Sequence, residues 1–177
     1  MMPARRHLLA AAAMAPLAAS SDTPRLDAPN VVEISPALVT SGQPGAASLA
    51  RLAALGFGAD IDLAPFSVPD AVKDERSIVE RQGLVFVDIP IAFGRPTEAD
   101  FGAFVDAMAR VAGRRTLVHC QVNMRASSMV FLHRVVVGHE APEHAYEAVA
   151  RVWSPEGPWK ALIVTVLRKH GIGFEPY

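Results

Sequence analysis

Residues 116–128 read TLVHCQVNMRASS and decide how this chain folds around a candidate reactive centre. The first part, residues 116–119, has the apolar pattern of a buried strand, and a helical pattern follows from about residue 127 to residue 137. Cys120, the only cysteine of the chain, lies where the strand gives way to the helix. A rigid strand therefore presents the sulfur just in front of a helix N-terminus.

This placement suits a thiolate nucleophile. A free thiol is mostly protonated at neutral pH, and a helix N-terminus with a nearby arginine favours the ionised form. Unpaired backbone N–H groups at the start of a helix also bind anions, because the donors and the helix dipole point the same way. One loop can therefore hold an oxyanion and activate the Cys120 sulfur that attacks it. The alternative interpretation is a buried, unreactive cysteine at a strand end.

The residues after Cys120 form a predicted anion cradle. Arg125 can grip two oxygens of a phosphate with its planar guanidinium, and Ser127 or Ser128 can donate a hydroxyl hydrogen bond to the sulfur. Asn123 tolerates a left-handed backbone, so the loop can turn tightly without glycine. His119 is predicted to orient the loop through a hydrogen bond. The predicted anion-binding residues are Gln121, Val122, Asn123, Met124, Arg125 and Ser127.

The run from His119 through Arg125 and Ser127 resembles the phosphate-binding loop of cysteine-dependent protein tyrosine and dual-specificity phosphatases. Two further stretches, ISPALVTSGQP at residues 34–44 and LARLAALGF at residues 49–57, are similar to the opening of bacterial β-lactamase-hydrolase-like phosphatase domains. The similarity covers most of residues 31–155. It implies a phosphatase in which Cys120 forms a cysteinyl-phosphate while Arg125 and the loop amides hold the phosphate oxygens.

The loop also departs from the family pattern. Ordinary tyrosine phosphatases place five residues between the cysteine and the arginine, whereas four stand between Cys120 and Arg125. The bacterial subfamily shares the shorter spacing, usually with glycine at the position of Asn123 and serine at that of Ala126. Single-domain rhodanese sulfurtransferases also carry loops with four intervening residues. A sulfurtransferase using a Cys120 persulfide and a non-catalytic oxyanion-binding module therefore stay open as alternatives.

A second departure concerns the general acid that protonates the leaving oxygen. Such a group contributes about 10²–10⁴-fold in rate. In the segment from residue 88 to residue 100, Asp88 is the best candidate, although it lies at the end of a predicted strand. Glu98 and Asp100 are explained by capping of a helix that begins after Thr97. The sequence therefore predicts low activity, or a requirement for a good leaving group.

Composition places the chain among ordinary globular catalytic domains. It has 177 residues, 51% of them hydrophobic and 20% charged, with a net charge of −1. This charge offers no basic field for nucleic acid, and one cysteine forms no internal disulfide. Histidine spacing does not indicate a metal, and no cofactor is predicted. The expected partner is a phosphorylated small molecule or protein.

The N-terminus predicts export. Arg5-Arg6-His7 precedes an apolar run, residues 8–19, that is too short to span a bilayer and is followed by small residues. Residues 1–20 are therefore predicted to be an export signal, with features of a twin-arginine signal, and the protein to be periplasmic or secreted without stable membrane insertion. Residues 21–30 are predicted to be a linker and residues 31–177 a single catalytic domain.

Strand and helix patterns alternate through that domain. Strands are predicted at residues 31–34, 38–41, 59–63, 84–88 and 116–119, and helices at residues 46–55, 69–82, 97–112, 127–137, 142–153 and 158–170. This order predicts an α/β fold: a central, mainly parallel sheet of four to five strands with helices on both faces. Asp60 and Asp62 share one strand face, where they could be a pair of carboxylates with shifted pKa values or the polar edge of the sheet, and the polar edge is the preferred interpretation. The turn from Trp153 to Trp159 could form a wall of the pocket or pack in the core, and core packing is the preferred interpretation.

Overall fold

A five-stranded sheet organises the computed structural model, which describes residues 25–177; the predicted export signal lies outside these residues. The strands are β1 (Val32–Ser35), β2 (Leu38–Ser41), β3 (Ala59–Asp62), β4 (Val85–Asp88) and β5 (Thr116–His119). Their order across the sheet is β1-β2-β5-β3-β4. Only β1 pairs antiparallel, with β2, and the other pairs are parallel. The predicted α/β fold is confirmed.

In the described part of the chain, six helices cover the two faces of the sheet. They are α1 (Ala46–Leu49), α2 (Glu75–Glu80), α3 (Glu98–Arg110), α4 (Met124–Val136), α5 (Pro142–Ala150) and α6 (Gly157–Lys169). Successive side chains of a strand point to opposite faces of the sheet, so the apolar residues form two separate cores, one on each face. Val118 and Cys120 belong to the core shared with α3, α4, α5 and α6. Leu117 belongs to the smaller core shared with α1 and α2.

Three predicted helices differ clearly in their boundaries, and the one predicted at residues 46–55 is regular only over Ala46–Leu49. The predicted helix at residues 69–82 is regular only over Glu75–Glu80. Before it, the chain makes successive turns closed by hydrogen bonds between residues three apart. The Val68 amide donates to the Pro65 carbonyl, and the Ala71 amide donates to the Val68 carbonyl. The helix predicted from residue 127 begins earlier, at Met124, so Arg125 lies in its first turn. This earlier start brings Arg125 close to the loop that follows Cys120.

The start of α3 shows the predicted cap. Thr97 accepts a hydrogen bond from the Asp100 amide at 3.1 Å, and the Asp100 carboxylate accepts from the Thr97 amide at 2.7 Å. This reciprocal pair satisfies two of the free N–H groups at the helix N-terminus.

Among residues 25–177, no helix combines the length and the apolar character needed to cross a membrane.

Candidate active site

The loop from Cys120 to Asn123 is held by the carboxyl end of β2. The Cys120 amide donates to the Ser41 carbonyl at 3.3 Å, and the Gln43 amide donates to the Gln121 carbonyl at 3.1 Å. A Cβ atom at Gly42 would lie 2.8 Å from the Gln121 carbonyl oxygen, so this close approach requires glycine. Loop and strand end therefore form one rigid unit at the carboxyl edge of the sheet, where parallel α/β sheets bind ligands.

Asn123 makes the turn into α4. Its backbone is left-handed, with φ of 71°, as the sequence predicted. The side-chain Nδ2 donates to the Asn30 carbonyl at 2.6 Å and to the Thr40 hydroxyl at 3.0 Å. Asn30 in turn donates from its own Nδ2 to the Val122 carbonyl at 3.1 Å. The end of the predicted linker thus packs against the loop and fixes its shape.

We expect Asn123→Ala to destabilise the fold more than Asn123→Gly, by about 1 kcal/mol. Both variants lose the two Nδ2 hydrogen bonds, but only alanine carries a Cβ atom that opposes positive φ. Free energies of unfolding from urea titration, compared between the two variants, measure this difference. Equal stabilities would show that the left-handed turn relaxes when the side chain is removed.

Arg125 is oriented by the segment between β4 and α3. Its Nε donates to the Ile91 carbonyl at 2.9 Å, and its guanidinium carbon lies 5.1 Å from the centre of the Phe93 ring. Within the described part of the chain, its terminal nitrogens have no hydrogen-bond partner. One edge of the guanidinium is therefore anchored to the protein, and the terminal nitrogens are available to bind the oxygens of an anion.

Two tryptophans support Phe93. The Trp159 indole is buried and donates from Nε1 to the Phe93 carbonyl at 2.9 Å. The rings of Trp153 and Trp159 both lie 5.9 Å from the Phe93 ring. The aromatic turn is core packing at Trp159, as predicted, and it also fixes the segment that orients Arg125.

The nucleophile candidate lies at the floor of the loop. Cys120 is 0% exposed, whereas Val122 is 37% exposed and Gln121 and Met124 are half-buried, so these three form the rim. The Cys120 side chain is therefore covered, and it packs within the larger apolar core. The Ser127 and Ser128 hydroxyls donate to the Met124 carbonyl at 3.2 and 2.9 Å, within the first turn of α4.

Asp88 lies away from the sulfur. It is in register with Asp62, which is in register with His119, so Asp88 and His119 point to the same face of the sheet. Cys120 packs in the core of the opposite face. Burial raises the pKa of Asp88, with Arg76 opposing the shift. The structure therefore does not bring the predicted general acid to Cys120.

The other acids near this segment are also engaged elsewhere. Asp100 is occupied by the cap of α3, and Glu98 accepts from Lys169 at 2.6 Å. Residues 89–96 contain no acidic side chain. The segment facing the loop therefore offers an arginine anchor and aromatic surface, but no carboxylic acid.

A buried polar cluster lies on the other face of the sheet, directly behind the loop. His119 Nε2 lies 2.8 Å from Glu75 Oε1 and 3.3 Å from Asp60 Oδ1, and its Nδ1 lies 3.7 Å from Asp62 Oδ1. All four side chains are buried. The prediction that Asp60 and Asp62 form a polar sheet edge is wrong, because β3 lies between β4 and β5.

The cluster shifts the pKa values of its members. Burial raises the pKa of Asp60 and raises that of Asp62 to about 7, although His119 opposes both shifts. Burial alone would lower the pKa of His119, but the neighbouring Asp60, Glu75 and Asp62 raise it well above its usual value. Asp60, Asp62 and His119 therefore hold protons to a higher pH than they would in water.

Sequence reasoning missed Glu75, Gln43 and the Ile91 carbonyl. Glu75 lies in an amphipathic helix where a glutamate is ordinarily solvated, and no local pattern marks it as buried. Gln43 was interpreted as part of a simple turn. A main-chain acceptor such as that of Ile91 carries no sequence signal. All three depend on contacts between segments that are distant in the chain.

Comparison with known proteins agrees with this fold. A crystal structure from Shewanella putrefaciens CN-32, described as "Putative phosphatase (DUF442)", is 30% identical, with a TM-score of 0.74 over 83% of this chain and 93% of that one. Tk-PTP in its active form has a TM-score of 0.62 at 20% identity, over 80% of this chain and 96% of that one. No protein-family profile matches the chain.

A curated relative extends the agreement at the level of sequence. The "Beta-lactamase hydrolase-like protein" of Xylella fastidiosa Temecula1 is 32% identical over 125 residues, which are 66% of this chain. The match spans only 29% of that longer protein. The chain belongs to the cysteine-dependent phosphatase-like superfamily, together with the DUF442 protein of Shewanella.

Proposed function

We propose that this protein is a cysteine-dependent phosphatase that hydrolyses a phosphate monoester through a cysteinyl-phosphate intermediate. The observation that carries the proposal is the loop itself: Cys120 and Arg125 lie at its two ends, and Arg125 is anchored to the Ile91 carbonyl while its terminal nitrogens are available. The backbone N–H groups of the loop, Gln121 to Met124, would hold the remaining oxygens. Membership of the phosphatase-like superfamily supports this assignment.

The reaction needs two displacements. The Cys120 thiolate attacks phosphorus, an S–P bond forms, and the P–O bond to the leaving group breaks with its electron pair on oxygen. Water then attacks the cysteinyl-phosphate, so that inorganic phosphate leaves and the thiolate is regenerated. Arg125 balances the charge that gathers on the phosphate oxygens in both steps.

The first step favours substrates whose leaving oxygen needs no proton. Because Asp88 lies on the far face of the sheet and residues 89–96 contain no acid, an alkoxide would leave unprotonated. We expect p-nitrophenyl phosphate to be hydrolysed about 10²–10⁴-fold faster than glycerol 2-phosphate, the range that a general acid supplies. Comparison of kcat/KM for the two substrates measures this preference. Inhibition of both reactions by vanadate would show that they take place at the phosphate-binding site. Comparable high rates on both would reveal a proton donor and contradict the assignment.

A sulfurtransferase is the second candidate. The loop with four intervening residues and the lack of an acid in residues 89–96 favour it. In that reaction the Cys120 thiolate attacks the sulfane sulfur of thiosulfate, the S–S bond breaks, and sulfite leaves as an anion without needing a proton. The persulfide then passes its sulfur to a nucleophile such as cyanide. Mass spectrometry distinguishes the two functions, since only this one adds a sulfur atom to the chain after thiosulfate treatment.

The natural substrate would be a phosphorylated protein or small molecule. P. aeruginosa TpbA binds phosphotyrosine in its own structure, and PTPMT1 binds PI(5)P in its own. Both share less than a quarter of their sequence with this chain, so they support the fold alone. A non-catalytic oxyanion module would bind phosphate or sulfate, yet neither hydrolyse p-nitrophenyl phosphate nor accept sulfur.

A further inference from the structure

The buried cluster behind the loop has the donor set of a metal site. His119, Asp60 and Glu75 each direct one donor atom to a common point, and these three atoms lie within 4.8 Å of one another. Their side chains come from β5, β3 and α2, three elements that the fold holds rigidly. One imidazole nitrogen and two carboxylate oxygens suit a divalent first-row transition metal.

The donor atoms of this cluster lie within ion-pair distance of one another, but among the described residues they make no hydrogen bond of acceptable geometry. Among residues 25–177, neither Asp60 oxygen, nor Glu75 Oε1, nor either ring nitrogen of His119 has a hydrogen-bond partner of acceptable geometry. The short distances from His119 to the two carboxylates therefore join atoms that are close but not aligned with a ring N–H. A buried polar atom left without a partner costs about 1–3 kcal/mol. Several such atoms facing one point indicate a missing positive partner.

Charge in the cluster points the same way. Asp60, Asp62 and Glu75 can carry three negative charges, and His119 can carry one positive charge. In the described part of the chain, no lysine or arginine forms a salt bridge with any of these carboxylates. Buried charge is costly unless it is paired or bound to a metal. As a metal ligand His119 would be neutral, so a divalent cation would offset two of the three carboxylate charges.

An outer layer already orients the candidate ligands. Gln43 donates from Nε2 to Glu75 Oε2 at 2.9 Å, so the other oxygen of Glu75 faces His119. Gln43 is itself 7% exposed, and its Oε1 is without a partner among the described residues. Asp62 accepts from the Ala64 amide at 2.8 Å and faces His119 Nδ1 from the opposite side. Metal-binding histidines and carboxylates are commonly held in this way.

We propose that His119 Nε2, Asp60 and Glu75 bind one divalent transition-metal ion, best represented by Zn²⁺, at a buried site behind the loop. Donors about 2.0 Å from a tetrahedral ion lie roughly 3.3 Å apart. The observed separations of 2.8 and 3.3 Å from His119 Nε2 are close to that value. The ion would tie β3 and α2 to the residue that precedes Cys120, whichever reaction the loop performs.

Histidine spacing in the sequence did not predict this metal. The three ligands are residues 60, 75 and 119, too far apart to form a recognisable motif. The sheet brings the first and last together because Asp62 is in register with His119 on β5, and Asp60 lies two residues earlier on the same face of β3.

Metal analysis of the full-length protein tests the proposal. After incubation with Zn²⁺ and removal of the excess, we expect about one zinc ion per chain, and EDTA should lower the melting temperature. Glu75→Gln and Asp60→Asn should each lose the zinc. Gln43→Ala should weaken zinc affinity by roughly 10–100-fold, the usual cost of removing an outer-layer partner.

Two control variants should keep the zinc. Glu80→Gln makes the same change as Glu75→Gln, but on an exposed residue of α2 paired with Arg76. Cys120→Ser removes the only thiol of the chain. Loss of zinc in Cys120→Ser, or its retention in both Glu75→Gln and Asp60→Asn, would overturn the proposal by placing the ion elsewhere.

Cobalt spectroscopy of the wild-type protein decides the matter if the ligand variants do not fold. Co²⁺ should give the visible bands of a tetrahedral ion with nitrogen and oxygen ligands. A thiolate charge-transfer band, or only the spectrum of aqueous cobalt, would contradict the site. Absence of bound metal together with an EDTA-insensitive melting temperature would equally overturn it, and the cluster would then be balanced by protons.

Discussion

Cys120→Ser is expected to reduce hydrolysis of p-nitrophenyl phosphate by at least about 10³-fold, the scale on which removal of a catalytic nucleophile acts. Serine is close to cysteine in size, but its hydroxyl is almost never ionised at neutral pH without a base. Among residues 25–177, the neighbouring His119 does not serve as such a base, since it points to the opposite face of the sheet. The variant therefore removes the attacking electron pair while leaving the loop and Arg125 in place.

Binding and folding measurements separate this effect from damage to the protein. Cys120 is fully buried, so the hydroxyl of the variant costs about 1–3 kcal/mol if it finds no partner. Circular dichroism should show an intact fold, and thermal shifts should show that phosphate still binds. Activity that persists in a folded Cys120→Ser protein would mean that water attacks the phosphate directly, and the cysteinyl-phosphate route would be wrong.

The fold was predictable from sequence because its signals are local. Strand and helix periodicities alternate along the chain, and each predicted strand is present within one or two residues. The left-handed turn at Asn123 could also be predicted from a local signal, because asparagine is one of the few residues other than glycine that tolerate positive φ. The spacing of three residues between Thr97 and Asp100 likewise indicates the capping box in the sequence.

The predictions that failed depend on which element lies beside which. Asp60 and Asp62 look like an exposed edge until β3 is placed between its two neighbours, which buries both carboxylates. Glu75 looks solvated until His119 is brought within 2.8 Å. Asp88 ends a strand that precedes the loop in the sequence. Strand register, however, directs its side chain to the face of the sheet opposite Cys120. Such facts come from long-range pairing, which short sequence patterns do not encode.

Arg125→Lys is expected to lower kcat/KM by about 10²–10³-fold, which is the usual cost of losing one preorganised donor to a developing charge. Lysine keeps the positive charge but lacks the planar fork, so it cannot donate to the Ile91 carbonyl and grip two phosphate oxygens at once. It also loses the stacking of the guanidinium over Phe93. Steady-state kinetics should show that kcat falls as well as that KM rises. The hydrogen bonds from Arg125 to the phosphate oxygens strengthen in the transition state, because negative charge increases on those oxygens.

Two matched variants sharpen this result. Arg110→Lys makes the same substitution at the exposed end of α3 and should leave the kinetics unchanged. Phe93→Leu keeps Arg125 but removes the ring beside it, and should cost a few-fold to about 30-fold, in line with a cation–π contact of 0.5–2 kcal/mol. If Arg125→Lys matched the wild type while Phe93→Leu did not, the aromatic segment would bind the substrate itself. The guanidinium would then serve to fix that segment through Ile91, and the loop amides alone would hold the anion.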